Sequence, residues 1–279
     1  MSKAGDESRE QGAQESRVDE SGARQSEAEP SGASDGDSSA GMDAPAGAVP
    51  PPPPEAALAV FGERLELADR FARHLADTGI SHGLIGPREV PRLWDRHILN
   101  CAVVAEQIES GASVIDVGSG AGLPGLALAI ARPDLTVTLI EPMERRTSWL
   151  DTVISDLGLD SVTVVRARAE EVHGRLTADV VTARAVAGLE RLARWCLPLV
   201  AVGGRLVAMK GSSADREIED ARRVVNRLGG GEPHIRVCGA VILDSPTTVV
   251  VIDKVAEVRS SGRSGAKPSR GRPRTKTKR

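Results

Sequence analysis

Residues 114–125 read V-I-D-V-G-S-G-A-G-L-P-G, so an apolar run ending near Asp116 leads straight into glycines at 118, 120, 122 and 125. Glycines let a backbone approach a ligand with no side chain in the way, and they tolerate positive φ. Such a loop is built to hold something, although glycine spacing alone fits NAD, FAD and S-adenosyl-L-methionine (AdoMet) alike. Asp116 narrows the choice. A carboxylate two residues before the loop would repel a pyrophosphate, yet it suits the ammonium of a methionine moiety, directly or through water. Glu141 ends the next apolar run, the position from which a carboxylate takes both hydroxyls of a ribose. Structural alternatives are a helix cap for Asp116 and a solvated strand end for Glu141.

Four further positions stand at the same mouth. R-A-E-E, residues 168–171, follows a third apolar run, where Ala169 and Glu170 can edge an adenine; an ordinary charged turn is the alternative. Arg184 lies just past a fourth run, as a partner for a ligand carboxylate or an RNA phosphate, or as half of a structural ion pair. Lys210 ends a fifth and is the only lysine between Lys3 and Lys254, in a chain that otherwise prefers arginine. A snorkelling surface lysine is its plainer reading. His97 is the one histidine near this mouth, with positioning rather than proton transfer as its role and a structural histidine as the alternative.

The elements that must carry these residues alternate. Apolar spacing predicts an amphipathic helix over residues 56–76 and a second over 96–108. Strands at 113–117, 135–140, 161–165, 178–182 and 204–209 then alternate with helices starting at Pro124, preceding Gly158, around 189–199, and from Ser212 or Ser213 to the glycines at 229–231. Alternation of this kind means a parallel sheet covered on both faces. Two closing apolar runs, at 234–240 and 247–252, have no helix-length segment between them and form an antiparallel hairpin at one edge. The pure dinucleotide-binding sheet lacks that hairpin. The expected fold is therefore α/β, a Rossmann-like doubly wound sheet of seven strands of the class I AdoMet-dependent methyltransferase type, preceded by N-terminal helices and spanning residues 56–258.

Both ends differ in kind from this domain. Residues 1–55 are rich in Ser, Gly, Pro and acids, the first 54 carrying about −7, and read as disordered. Residues 259–279 hold nine bases and no acid, a flexible basic tail, which leaves about −5 on the domain. No apolar run reaches the roughly 18 residues of a membrane span and no signal-peptide pattern opens the chain, so a cytoplasmic protein is expected. Cys101, Cys196 and Cys238 are odd in number and far apart, which suits buried thiols better than disulfides or a metal site. With no Tyr and two Phe, the chain lacks the aromatic platform of many single-strand RNA binders.

The chain resembles the bacterial small-subunit ribosomal RNA methyltransferase G family, also called glucose-inhibited division protein B. The matching pieces are W-D-R-H-I-L-N-C (94–101), the glycine loop, R-A-E-E, D-V-V-T-A-R-A-V-A (179–187) and M-K-G (209–211). The R-H-I-L element makes the match specific. The resemblance implies methylation of guanine N7 in the 530 loop of 16S rRNA, with AdoMet contacting Gly118, Leu123, Ala169, Glu170 and Arg184; Asp116, Gly120 and Glu141 are added from the residues themselves. The family often has Asp where Asn100 stands and Ser where Cys101 stands. Guanine N7 carries a free lone pair, so the reaction requires no general base and no catalytic residue of that kind is assigned. In A-form RNA the edge bearing N7 is deep and narrow, which favours a loop or distorted base as target. The expected partners are 16S rRNA or the 30S subunit, for a monomer without metal.

Two other readings stay open: an AdoMet enzyme acting on a small molecule or protein, and an NAD-binding oxidoreductase or silent nucleotide-binding module. RNA binding by an acidic domain needs a local cationic patch, for which Arg88, Arg92, Arg96, Arg184, Lys210 and the tail are the candidates. Deleting residues 259–279 is expected to flatten the salt dependence of RNA binding, measured as log Kd against log salt; an unchanged slope would contradict a phosphate-binding tail.

Overall fold

The computed structural model describes residues 48–184 and 186–257. Most of the acidic extension and all of the basic tail lie outside the described residues.

Seven strands form one sheet in the order β3-β2-β1-β4-β5-β7-β6. β1 (Ser113–Val117), β2 (Thr136–Ile140), β3 (Val162–Val165), β4 (Ala178–Arg184) and β5 (Val200–Met209) run parallel. β6 (His234–Cys238) and β7 (Thr247–Asp253) form the expected hairpin, with β7 inserted antiparallel between β5 and β6. The order reverses between β1 and β4, so the open crevice for a ligand lies at their carboxyl ends.

Side-chain alternation divides the core into two layers. Val114, Val137, Leu139, Val180, Val207, Val249 and Val251 face one layer, while Ile115, Ile140, Val181, Leu206, Ala208, Val250 and Ile252 face the other. The first layer is closed by α1 (Glu55–Phe61), α2 (Leu65–Ala76), α5 (Gly125–Ala131) and α6 (Glu144–Leu157). The second is closed by α7 (Leu189–Cys196) and α8 (Ala214–Arg227). Gly158, in the left-handed region at φ 62°, stops α6 as its position predicts. Helix α7 ends sooner than expected, in a 3-10 turn at Leu197–Leu199, because Pro198 has no N–H to continue the ladder.

The N-terminal region departs from the expected pair of helices. Residues 56–76 are broken by a 3-10 turn, Gly62–Arg64, which lets Phe61 meet Trp94 edge to face at 6.4 Å and Arg64 donate to the Ile130 carbonyl at 2.8 Å. A short helix α3 (Thr78–Ser81) follows. In place of one helix over 96–108, the chain makes a 3-10 segment Pro87–Arg92, a π-helical stretch Leu93–Leu99, a single turn α4 (Asn100–Ala102) and a second 3-10 segment Val103–Gln107. The domain also begins ahead of residue 56: Pro50 is buried, and the Trp94 indole N–H donates to the Pro51 carbonyl at 2.9 Å.

Lys254 closes the lower edge. It is buried, and its Nζ donates to the carbonyls of Leu197 (2.9 Å) and Leu228 (2.8 Å), just past the ends of α7 and α8. Packing is tight where β4 and β5 meet irregularly: a Cβ on Gly204 would overlap the Asp179 carbonyl. Gly204→Ala is expected to destabilise the protein by about 1–3 kcal/mol in urea unfolding, and an unaltered midpoint would contradict this packing.

Candidate functional site

The glycine loop leaves β1 and turns under the end of β2. Gly118 N–H and Ser119 N–H both donate to the Ile140 carbonyl, at 2.8 and 3.2 Å, and Gly118 sits at φ 73°. Asp116 lies beneath the loop at 0% exposure, with Oδ2 accepting from Gly125 N–H at 3.0 Å. A Cβ on Gly125 would overlap Leu139 and stand 2.8 Å from that oxygen, so this helix start admits only glycine. Oδ1 of Asp116 is buried with no hydrogen-bond partner among the described residues. Burial pushes the Asp116 carboxyl up to about 7, against the lowering effect of its hydrogen bond from Gly125.

Glu141 follows β2 directly and is 2% exposed, so it is no solvated strand end. Its Oε2 accepts from Gly120 N–H at 3.1 Å and its Oε1 from Met143 N–H at 3.0 Å, which pins both flanking loops. Each oxygen keeps a second lone pair. Glu171 serves the next turn in the same way, accepting from Arg168 N–H at 2.8 Å.

Two cavities open at the carboxyl ends. The first, of about 290 Å³, is lined by Gly118, Pro142, Ala169, Glu170, Val186 and Trp195 among others. The second, of about 570 Å³, is lined among others by Arg96, Asn100, Arg184, Lys210 and Thr247. Val186 lines the first, its Cγ2 3.1 Å from where a Gly118 Cβ would lie, and the next residue, Ala187, lines the second. The sequence-derived candidates therefore separate. Gly118, Ala169 and Glu170 meet in the first cavity, Arg184 and Lys210 line the second, and Asp116, Gly120, Leu123 and Glu141 frame the loop from below.

Arg184 does not stand free for a phosphate. Its Nη2 donates to His97 Nδ1 at 2.6 Å, and its Nη1 reaches Cys101 Sγ at 3.0 Å. The carbonyls of Arg96 and His97, each 3.4 Å away, complete its surroundings. The π-helical stretch supplies those carbonyls at the mouth; such stretches cluster at functional sites. His97 is 8% exposed, and its Nε2 lies 2.7 Å from Glu89 Oε2. Burial holds its pKa below the ordinary histidine value.

Lys210 is neither a surface lysine nor a free cation. Its side chain is 8% exposed, and Nζ donates to Glu217 Oε2 and to the Ala187 carbonyl, both at 2.7 Å. Glu217 also accepts from Leu189 N–H at 2.7 Å, so the pair clamps the loop carrying Val186. Asn100 is likewise structural: with its amide turned to satisfy its neighbours, it donates to the carbonyls of Asp95 and Ser245 and to Thr247 Oγ1. Arg88, Arg92 and Arg96 are exposed along the segment that holds His97.

The family model described as rRNA small subunit methyltransferase G matches residues 64–244. The chain belongs to this family. A Ribosomal RNA small subunit methyltransferase G from Salinispora tropica is 56% identical over 230 residues, covering 79% of this chain and 95% of its own. One from Paenarthrobacter aurescens is 59% identical over 198 residues, covering 71% and 92%. The sheet order and its antiparallel edge are those of a class I AdoMet-dependent methyltransferase, and AdoMet use follows from the family. The residues fit that cofactor: a glycine cradle beside a largely apolar cavity, and beneath it a carboxylate with one oxygen still lacking a donor.

Sequence reasoning missed Glu89, Val186, Trp195 and Glu217. Trp195 had a readable signal, being one of three tryptophans and lying on a helix that packs beside the mouth. The others act through contacts that no spacing rule exposes. Among the described residues no cluster of three or more His, Cys, Asp or Glu is arranged to hold a metal, no helix is long and apolar enough to cross a membrane, and all three cysteines are buried thiols.

Lys210→Met leaves the Ala187 carbonyl and the Glu217 carboxylate short of a donor. It is expected to cost about 1–3 kcal/mol in urea unfolding and to speed hydrogen exchange at Leu189 N–H. Unaltered exchange at Leu189 would contradict the clamp.

Proposed function

We propose that this methyltransferase transfers a methyl group from AdoMet to N7 of a guanine in the 530 loop of 16S rRNA. AdoMet supplies, when bound, an electrophilic sulfonium methyl. Gly118, Ala169, Glu170 and Trp195 would hold its nucleoside end in the first cavity. Asp116, through its unsatisfied oxygen, would complement the ammonium, directly or by way of water.

The observation that carries the reading is the pairing of that cavity with a second one whose wall is cationic yet offers no base. His97 has both ring nitrogens engaged, one by Arg184 and one by Glu89. That suits a nucleophile such as guanine N7, whose lone pair needs no deprotonation. Catalysis then rests on alignment, with Arg184 fixed and the methyl acceptor oriented in the second cavity. Arg88, Arg92 and Arg96 would meet phosphates of the target loop, which explains how a domain of about −5 engages RNA. A thiol route to a ring carbon has no support: Cys196 is buried inside α7, and burial drives its pKa far up.

The test is transfer of labelled methyl from AdoMet to 16S rRNA and 30S subunits lacking the modification, with the product mapped by cleavage specific for N7-methylguanine. A single labelled guanine in the 530 loop is expected. Label on another base, or only on protein or small molecules, would overturn the reading.

A further inference from the structure

We propose that Glu89 is a positioning residue for methyl transfer, acting through His97 to hold the Arg184 guanidinium at the mouth of the site. The proposal rests on the methyltransferase reading above and extends it to a residue that touches neither cavity.

Geometry and donor counting lead to it. A guanidinium has five donors and no acceptor. Arg184 Nη2 lies 2.6 Å from His97 Nδ1, so Nδ1 must present its lone pair. The ring proton then sits on Nε2 and donates across 2.7 Å to Glu89 Oε2. Only the neutral Nε2–H tautomer satisfies both neighbours, Arg184 by needing an acceptor at Nδ1 and Glu89 by needing a donor at Nε2. The partners come from separate elements: Glu89 from Pro87–Arg92, His97 from Leu93–Leu99, and Arg184 from the end of β4.

The surrounding charges favour the same state. Around the ring stand Glu89 and Arg96 from the N-terminal segment and Arg184 from β4, with Arg92 acting on Glu89 in turn. Arg96 Nη1 is 3.5 Å from the other Glu89 oxygen. On the far side of Arg184, Cys101 stays a neutral thiol, burial raising it to about 11, with Asp116 beneath. Protonation of His97 would set an N–H against an Arg184 N–H at 2.6 Å and push the guanidinium away. Burial resists that by holding His97 below its ordinary pKa, so alignment is lost only as the pH falls through that lowered value. Glu89 itself raises the His97 pKa, through its hydrogen bond and its charge.

The test uses the full chain with ¹⁵N-labelled histidine, read by NMR for the His97 tautomer and by methyl transfer as a function of pH. The parent is expected to show Nε2 protonated and Nδ1 bare. Glu89→Ala is expected to mix the tautomers and lower kcat by about 10- to 100-fold, the range for outer partners that orient a functional histidine. Its acid limb should nevertheless move to lower pH, because a group that raised the His97 pKa is gone. Glu89→Gln keeps an acceptor without the charge; it is expected to restore the tautomer and most of kcat while retaining the shifted limb. Thermal melts of both variants separate these effects from misfolding. An Nδ1–H tautomer in the parent, or Glu89→Ala with tautomer or kcat unaltered, overturns the proposal. Absence of rRNA methylation by the parent would instead count against the substrate reading, and the tautomer comparison would still decide the role of Glu89.

Discussion

The site depends on one hydrogen bond, from Gly125 N–H to the buried carboxylate of Asp116. It joins the strand that enters the glycine loop to the helix that leaves it, across a gap that admits no Cβ. A carboxylate taken fully out of water is costly unless donors surround it. Here one oxygen has a donor and the other, among the described residues, has none, so a buried acceptor is left at the centre of the loop. A cationic ligand group would complement that acceptor. The arrangement therefore favours an ammonium-bearing cofactor by electrostatics, before any contact with the adenine is made.

A second constraint ties the mouth to the N-terminal segment. Arg184 ends the central strand β4, yet its guanidinium is held by atoms of residues 96, 97 and 101. The N-terminal helices are thus joined to the sheet at the reaction mouth as well as through the core. On the other side, Lys210 and Glu217 clamp the loop whose Val186 lines the first cavity and whose Ala187 lines the second. The two cavities at the carboxyl ends are thus flanked by two polar clamps, one through Arg184 and one through Lys210.

The architecture was legible because it rests on local periodicity. Apolar runs of strand length alternating with amphipathic helices predict a parallel sheet, and the closing pair at 234–240 and 247–252 predicts its antiparallel edge. The glycine loop and Asp116 were legible because glycine and a buried acid are expensive choices, each pointing to a physical need. The break at Gly62–Arg64 and the π-helical stretch were hidden because they answer long-range contacts, Arg64 to Ile130 and Arg184 to the carbonyls of Arg96 and His97. Lys210 misled for the same reason. Its partner Glu217 is near in sequence, but the third member of the clamp, the Ala187 carbonyl, comes from a different loop.

The charge state of Asp116 is most directly measured by following its carboxyl carbon with ¹³C NMR through a pH titration, assigned by comparison with Asp116→Asn, without and with AdoMet. The ligand-free carboxyl is expected to titrate at about 7 and bound AdoMet to carry it well down, as an ammonium completes the second oxygen. A free protein in which Asp116 titrates in the ordinary carboxylate range, or one in which AdoMet binds and leaves the titration unmoved, would contradict this expectation.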